Sequence, residues 1–360
     1  MTQMRLYGYH KRRVICIIIA LIAGVFLWIA SIINQMHISE YHQGVSVRYD
    51  EPALTKQSLE NILEAMISRG DNHIPEITLW QRDEHFVVSN EDNIKTVELS
   101  LITVAGDMSR IYPVPMLYGG YLARDDSSGC IIDRATAYKL FGSSDTVGLR
   151  INCNNKEYII RGVIKEIDSN VIIVQEEASS YKGKESKTYS CMEMSYADTK
   201  NAKLLAERFV STNGLGKPSR FIDGYLIQML SYVLIHIPLW VSALLIVIYV
   251  IRKVYLLKAS PILTFIGIIG IALLVVILIK ITNMHFYYPN SMIPNKWSDF
   301  DFWVGKLRSI ISSISRKEGI VLYYRDIILR RRMLIVIIGV ISAVISELSV
   351  LVSGTIRKCN

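Results

Sequence analysis

Four long apolar runs break up an otherwise mixed chain, at residues 14–33, 225–251, 261–279 and 333–352. Each approaches the ~20 residues that a helix needs to cross a hydrocarbon core of about 30 Å. Arg5, Lys11, Arg12 and Arg13 precede the first run and hold residues 1–13 on the cytoplasmic side. A signal peptide would have a shorter apolar core and a small-residue cleavage site. No such site follows, so the first run reads as an uncleaved anchor. The second run contains Gln228, His236 and Pro238 and is followed by Arg252, Lys253 and Lys258, which place its far end in the cytoplasm. Pro261 opens the third run, where its missing N–H costs a helix nothing. The pattern predicts four spanning helices, with residues 36–224 outside the cytoplasm and both termini inside.

The stretch 36–224 alternates like a folded domain rather than a linker. Leu59, Ile62, Leu63, Met66 and Ile67 recur at helical spacing before Gly70, predicting an amphipathic helix that stops there. Residues 76–89, 96–105, 171–175 and 189–195 read as strands. Gly119-Gly120 marks a turn or bulge within 116–122. Asp198 is expected to cap a helix whose apolar side carries Ala202, Leu205, Ala206 and Phe209. Residues 181–187 read as a solvated loop. The joints 31–42 and 218–225 are short and not Gly/Ser-rich, so little slack separates the domain from its flanking helices.

Composition narrows the function classes. The chain has 360 residues, is 51% hydrophobic and carries a net charge of +8. Much of the basic charge flanks apolar runs, the signature of membrane edges rather than of nucleic-acid binding. The cysteines at 16, 130, 153, 191 and 359 and the seven scattered histidines form no zinc-type spacing. Cys130, Cys153 and Cys191 fall outside the cytoplasm and allow at most one intramolecular disulfide, with no preferred pairing. Free thiols packed as small apolar groups are the alternative. No GxxxxGK[ST] loop is present, so the chain has no P-loop of its own. Ser127-Ser128 and Ser143-Ser144 lack a GxSxG context, and Asp125-Asp126 reads as a turn. No catalytic residue, metal site or cofactor is expected.

Residues 129–162 hold the most specific local pattern. A short strand, Cys130 to Ile132, meets Asp133, which is placed to cap a helix over 134–141. Gly142 stops that helix, Asp145 and Gly148 shape a turn, and strands 149–153 and 156–163 follow around Asn154-Asn155, a pair suited to a tight hairpin. This unit resembles the extracytoplasmic core of MacB/FtsX-like ABC transporter permeases. The matching residues are Ala137, Leu140, Phe141, Gly142, Asp145, Val147, Gly148, Tyr158, Ile160, Gly162 and Val163. The resemblance implies an α+β extracytoplasmic domain with a MacB-like periplasmic core, set on a four-helix transmembrane bundle in the cell membrane. It implies a non-enzymatic permease subunit that passes conformational change between a separate cytoplasmic ABC ATPase and the outside domain. Its expected partners are membrane lipid, that ATPase and a second permease chain, identical or different. The turn holding Arg252, Lys253 and Lys258 would be the ATPase contact. The alternative is a membrane-anchored sensor or scaffold whose domain binds a ligand or protein without transport.

Two features depart from the family pattern. The turn after the second run is short and lacks the longer coupling segment with a REIG-type sequence. The connecting segment 284–332, expected outside, carries Lys296, Lys306, Arg308, Arg316, Lys317, Arg325, Arg330, Arg331 and Arg332 against Asp299, Asp301, Glu318 and Asp326, contrary to the positive-inside tendency. Within that segment Trp297, Phe300, Phe302 and Trp303, with Tyr287 and Tyr288, suggest an interfacial belt. Val304, Leu307, Ile311 and Ile314 mark one face of an amphipathic helix. His236 and Glu347 are ionisable groups inside apolar runs, where a functional role competes with a hydrogen bond between helices.

Overall fold

The computed structural model describes residues 2–41, 44–92, 94–111, 115–153, 156–165, 170–176, 187–256, 261–282, 324–356 and parts of 294–308. The chain divides into two units. One comprises Met1–Glu40, Ile227–Tyr287 and Ile328–Asn360; the other comprises Tyr41–Leu226 and Tyr288–Ile327.

The first unit is helical: α1 (Thr2–Tyr41), most of α5 (Gly224–Leu256), α6 (Pro261–Thr282) and most of α7 (Tyr324–Ile356); the labels α2 to α4 belong to the second unit. Among the described residues three stretches are long and apolar enough to cross a membrane, Ile18–Glu40, Gly224–Val254 and Pro261–Lys280. The fourth apolar run lies within α7. The first helix outlasts its apolar run, because Ser31, Gln35 and Ile38 continue one buried stripe at helical spacing. Ile38 packs with Ile235, Leu329, Val336 and Val340. Pro238 removes a backbone donor from α5 and loosens its preceding turn. One carbonyl of that turn, Ile235 O, accepts from the Trp28 indole at 2.8 Å.

Helices α1 and α7 touch backbone to backbone. Ser31 Oγ donates to Leu27 O at 3.1 Å and also lies 3.3 Å from Val336 O. A Cβ on Gly339 would sit 2.0 Å from Ser31 Oγ and 2.4 Å from Leu27 O. Small residues permit such close helix contact where no hydrophobic force drives association. Gly339→Ile is therefore expected to destabilise the helical unit by about 1–3 kcal/mol, as overpacking does. Unfolding of the detergent-solubilised chain would measure the loss.

The second unit is an α+β domain around a ten-stranded sheet. Its strands are β1 (Val45–Arg48), β3 (Glu76–Asn90), β4 (Thr96–Ala105), β5 (Met116–Gly119), β6 (Gly129–Asp133), β7 (Arg150–Cys153), β8 (Lys156–Ile164), β9 (Val171–Gln175), β11 (Cys191–Ser195) and β12 (Arg220–Asp223). The order is β12-β1-β11-β3-β4-β9-β6-β8-β5, with β7 pairing β3 and β8. A separate two-stranded sheet joins β2 (Leu54–Thr55) to β10 (Thr188–Tyr189). Residues 189–195 are thus not one strand. Tyr189 pairs with Leu54 in the small sheet, while Cys191 begins the run opposite β1.

Two cores flank the sheet. On one side α2 (Lys56–Arg69) and α4 (Ala202–Thr212) cover Val45, Val47, Leu79, Met192 and Met194. Further along, α3 (Arg134–Phe141) covers Cys130, Ile132, Ile160, Ile172 and Val174. The stop at Gly70 and the cap at Asp133 form as expected, and Thr55 caps α2. Thr55 accepts from Ser58 N, and Asp133 accepts from Ala135 N and Thr136 N. Helix α4 differs: it begins after Asn201 with no side-chain cap bond. Asp198 instead ties the preceding turn, accepting from Lys200 N at 3.1 Å and Asn201 Nδ2 at 2.8 Å.

The segment Tyr41–Leu226 begins and ends at neighbouring strands. Strands β1 and β12 pair antiparallel, with Val45 opposite Asp223. Gly224 N donates to Gly44 O at 2.9 Å. The joint read as a short linker at 218–225 is therefore partly a sheet strand. It passes straight into α5, whose Leu226 N is held by Asp223 Oδ1 at 3.0 Å.

Candidate functional site

The alternation in β1 (V-S-V-R) and β11 (C-M-E-M-S) gives each strand an apolar and a polar face. Ser46 stands directly opposite Glu193, Arg48 opposite Cys191, and Cys191 opposite Trp80 of β3. Ser46, Arg48, Glu193 and Trp80 consequently share the face opposite the α2–α4 core. Alternation of this kind usually marks a solvent-facing side, yet all four residues are buried.

Glu193 is the centre of the cluster. Its Oε1 accepts from Ser46 Oγ at 2.9 Å and Trp80 Nε1 at 3.1 Å, and lies 2.8 Å from Arg48 Nη1. Its Oε2 lies 2.8 Å from Arg325 Nη1. The same Arg325 nitrogen donates to Arg110 O. The Arg48 guanidinium stacks 4.6 Å from the Trp80 ring centre and lies 3.8 Å from Asp326 Oδ1. Burial pushes the Glu193 carboxyl up, but Arg325, Arg48, the indole and the hydroxyl together hold it below the usual carboxylate range. Asp326 is shifted up, because burial outweighs the attraction of Arg48. Arg325 and Asp326 come from the start of α7 yet belong to the domain unit. In the sequence both are only charges of the connecting segment, and Arg48 and Glu193 do not stand out. The available signal was one residue of opposite charge in each of two apolar-alternating strands.

The resemblance residues collect elsewhere, around α3 and β8. Ala137, Leu140, Tyr158, Ile160 and Val163 are buried, Phe141 packs against their core, and Val147 is exposed. Gly142 N donates to Tyr138 O, and Gly148 N to Ile160 O, both at 2.8 Å. Asp145 N is held by Ser143 Oγ. Gly162 is a bare-backbone contact: a Cβ there would meet Gly120 O at 2.6 Å. These residues build the fold and converge on no reactive group. Arg252 and Lys253 are exposed at the end of α5. Lys258 lies outside the described residues, as do Asn154-Asn155, 181–186, Tyr287, Tyr288, Trp297, Leu307, Ile311 and Ile314.

Other candidates resolve into local bonds. His236 Nδ1 contacts Tyr232 O at 2.7 Å, four residues back on its own helix. Glu347 of α7 lies beside Ser242 of α5. His85 sits at φ 65° in the bulge between β3 and β4, with Nδ1 2.6 Å from Glu98 Oε1, which raises its pKa. It edges an open cleft of about 520 Å³ that also includes Glu84, Lys139 and Asn170. Among the described residues no group of His, Cys, Asp or Glu is arranged to hold a metal. Cys130, Cys153 and Cys191 are buried free thiols, not disulfides.

No family model and no curated protein matches the chain. Among solved structures, the chain is similar to the periplasmic region of MacB from Actinobacillus actinomycetemcomitans. That match has 12% identity and a TM-score of 0.40, over 51% of this chain and 89% of the other. It is also similar to the extracellular domain of the ABC-type transporter YknZ from Gram-positive bacteria, at 13% identity and a TM-score of 0.37, over 48% of this chain and 94% of the other.

Proposed function

We propose that the chain is the permease subunit of a MacB/FtsX-like ABC transporter. In this reading α1, α5, α6 and α7 form a four-helix membrane bundle in the cell membrane, and residues 36–224 form the extracytoplasmic core. A separate cytoplasmic ATPase supplies the energy, a second permease chain completes the assembly, and no residue of this chain carries out catalysis. The observation that carries the reading is the paired β1 and β12. The strands that follow α1 and precede α5 in sequence are neighbours joined by sheet hydrogen bonds. The reading expects relative movement of those two helices to reach the sheet through this pair. The Arg325–Glu193 pair supports placing the connecting segment on the domain side despite its basic charge.

One observation favours the sensor or scaffold reading. Helix α5 ends at Leu256 and α6 begins at Pro261, leaving residues 257–260 between them and no coupling segment for an ATPase. Purification of the tagged chain from its native membranes separates the two. The transporter reading expects a P-loop ATPase to co-purify, and ATP hydrolysis that disappears when that subunit is stripped away. A chain isolated with no ATPase after mild cross-linking leaves the scaffold reading.

A further inference from the structure

The carboxylate of Glu193 divides its partners by origin. Oε1 meets Ser46, Arg48 and Trp80, all on the first part of the sheet. Oε2 faces Arg325, which arrives more than a hundred residues later at the start of α7. We propose that residues 324–327 are a releasable strap, latched into the domain by Arg325 on Glu193 and able to leave without unfolding the sheet.

Charge balance is what makes release feasible. Removing one member of a buried ion pair is costly because an uncompensated charge stays behind. Here the strap takes away one cation and one anion, Arg325 and Asp326. Arg48 and Glu193 remain 2.8 Å apart as an ion pair, with the Ser46 hydroxyl and the Trp80 indole still donating to Oε1; Arg220, opposite Arg48, and Arg110 are only partly buried, so water can solvate their charge. Arg48 also keeps its stacking on Trp80. The exposed Oε2 and the vacated Arg110 carbonyl are acceptors that water can satisfy. Ile327, the last strap residue, is 37% exposed, so no deep apolar anchor at that position opposes departure. Among the described side chains, the strap is held by polar contacts at its charged residues, a pattern typical of segments that open locally at less than the full cost of unfolding. The proposal does not require the transporter reading: a sensor domain could use the same strap.

Arg48 and Arg325 offer a matched comparison, since both side chains are 8% exposed. The full-length chain in lipid nanodiscs would be treated with phenylglyoxal, and modification of each arginine followed by peptide mass mapping. A releasable strap should let Arg325 react at least ~10-fold faster than Arg48, because Arg325 is uncovered by local opening and Arg48 by loss of the sheet. Equal rates would show that the strap moves only when the domain unfolds, and the proposal would fail. In Glu193→Gln the Arg325 rate should rise again by about 10-fold relative to the rate of Arg48 in the same variant. An unchanged Arg325 rate in a folded variant would remove Glu193 as the latch. The wild-type comparison decides the matter by itself if that variant does not fold.

Discussion

Glu193→Leu will destabilise the domain by about 3–5 kcal/mol, the range expected when one partner of a buried ion pair is removed. The variant leaves Arg48 and Arg325 buried and facing a side chain that accepts nothing. The loss measures stranded charge more than the value of the contacts. A variant that also carries Arg48→Met, Arg325→Met and Asp326→Asn should therefore recover most of it, since apolar replacement of a whole buried cluster is often neutral or stabilising. Chemical unfolding of the full chain in detergent, followed by domain tryptophan fluorescence, would test both. If the four-residue variant is no better than Glu193→Leu alone, the cluster holds the fold through its specific bonds and not through charge compensation.

The same site has a defined pH signature. Glu193 is held below the usual carboxylate range, so its stabilising contribution is complete above the unfolded value of about 4.3 and fades as pH falls through its folded value. Asp326 is shifted the other way. Its ionised form opposes folding at neutral pH, and that opposition lifts as pH falls through its raised value. Acidification from neutrality should first relieve Asp326 and only then cost the Glu193 bonds. The stability difference between wild type and Glu193→Gln should accordingly stay constant from about pH 7 to 5 and shrink below about pH 4.

What could be read from the chain follows from what is local. Continuous apolar runs and period-two alternation identify α5, α6, β3, β4 and β9, because each signal lies within its own element. The apolar run ends near Ile33, whereas α1 continues to Tyr41 on the narrower stripe of Ser31, Gln35 and Ile38, which an apolar-run signal does not register. Strands β1 and β12 are not legible locally because four-residue strands carry little pattern; β12 is defined by pairing with β1, and β1 by pairing with β12 and β11. The charge cluster is less legible still. Ser46, Trp80, Glu193 and Arg325 are far apart in sequence, and nothing near any one of them announces the others.

Two aspartates make the same point as a measurable contrast. Asp133 and Asp198 each precede an apolar helix face and look alike as caps. Asp133 is buried and its carboxylate is shared. Oδ2 accepts from Ala135 N at 3.0 Å and Thr136 N at 3.4 Å, while Oδ1 accepts from the Thr136 hydroxyl and from Val171 N at 2.9 Å. The last bond ties α3 to β9 and has no counterpart in local sequence. Asp133→Ala should therefore cost about 2–4 kcal/mol, combining ~1 kcal/mol for the lost cap with 1–3 kcal/mol for a stranded buried N–H. Asp133→Asn should fall between, since its amide offers one acceptor oxygen where the carboxylate offers two. Asp198 serves only its own turn, so Asp198→Ala should cost no more than about 1 kcal/mol. Paired unfolding curves for the three variants would read the difference directly. Equal losses for Asp133→Ala and Asp198→Ala would mean that the bond to Val171 contributes nothing and that capping alone accounts for both positions.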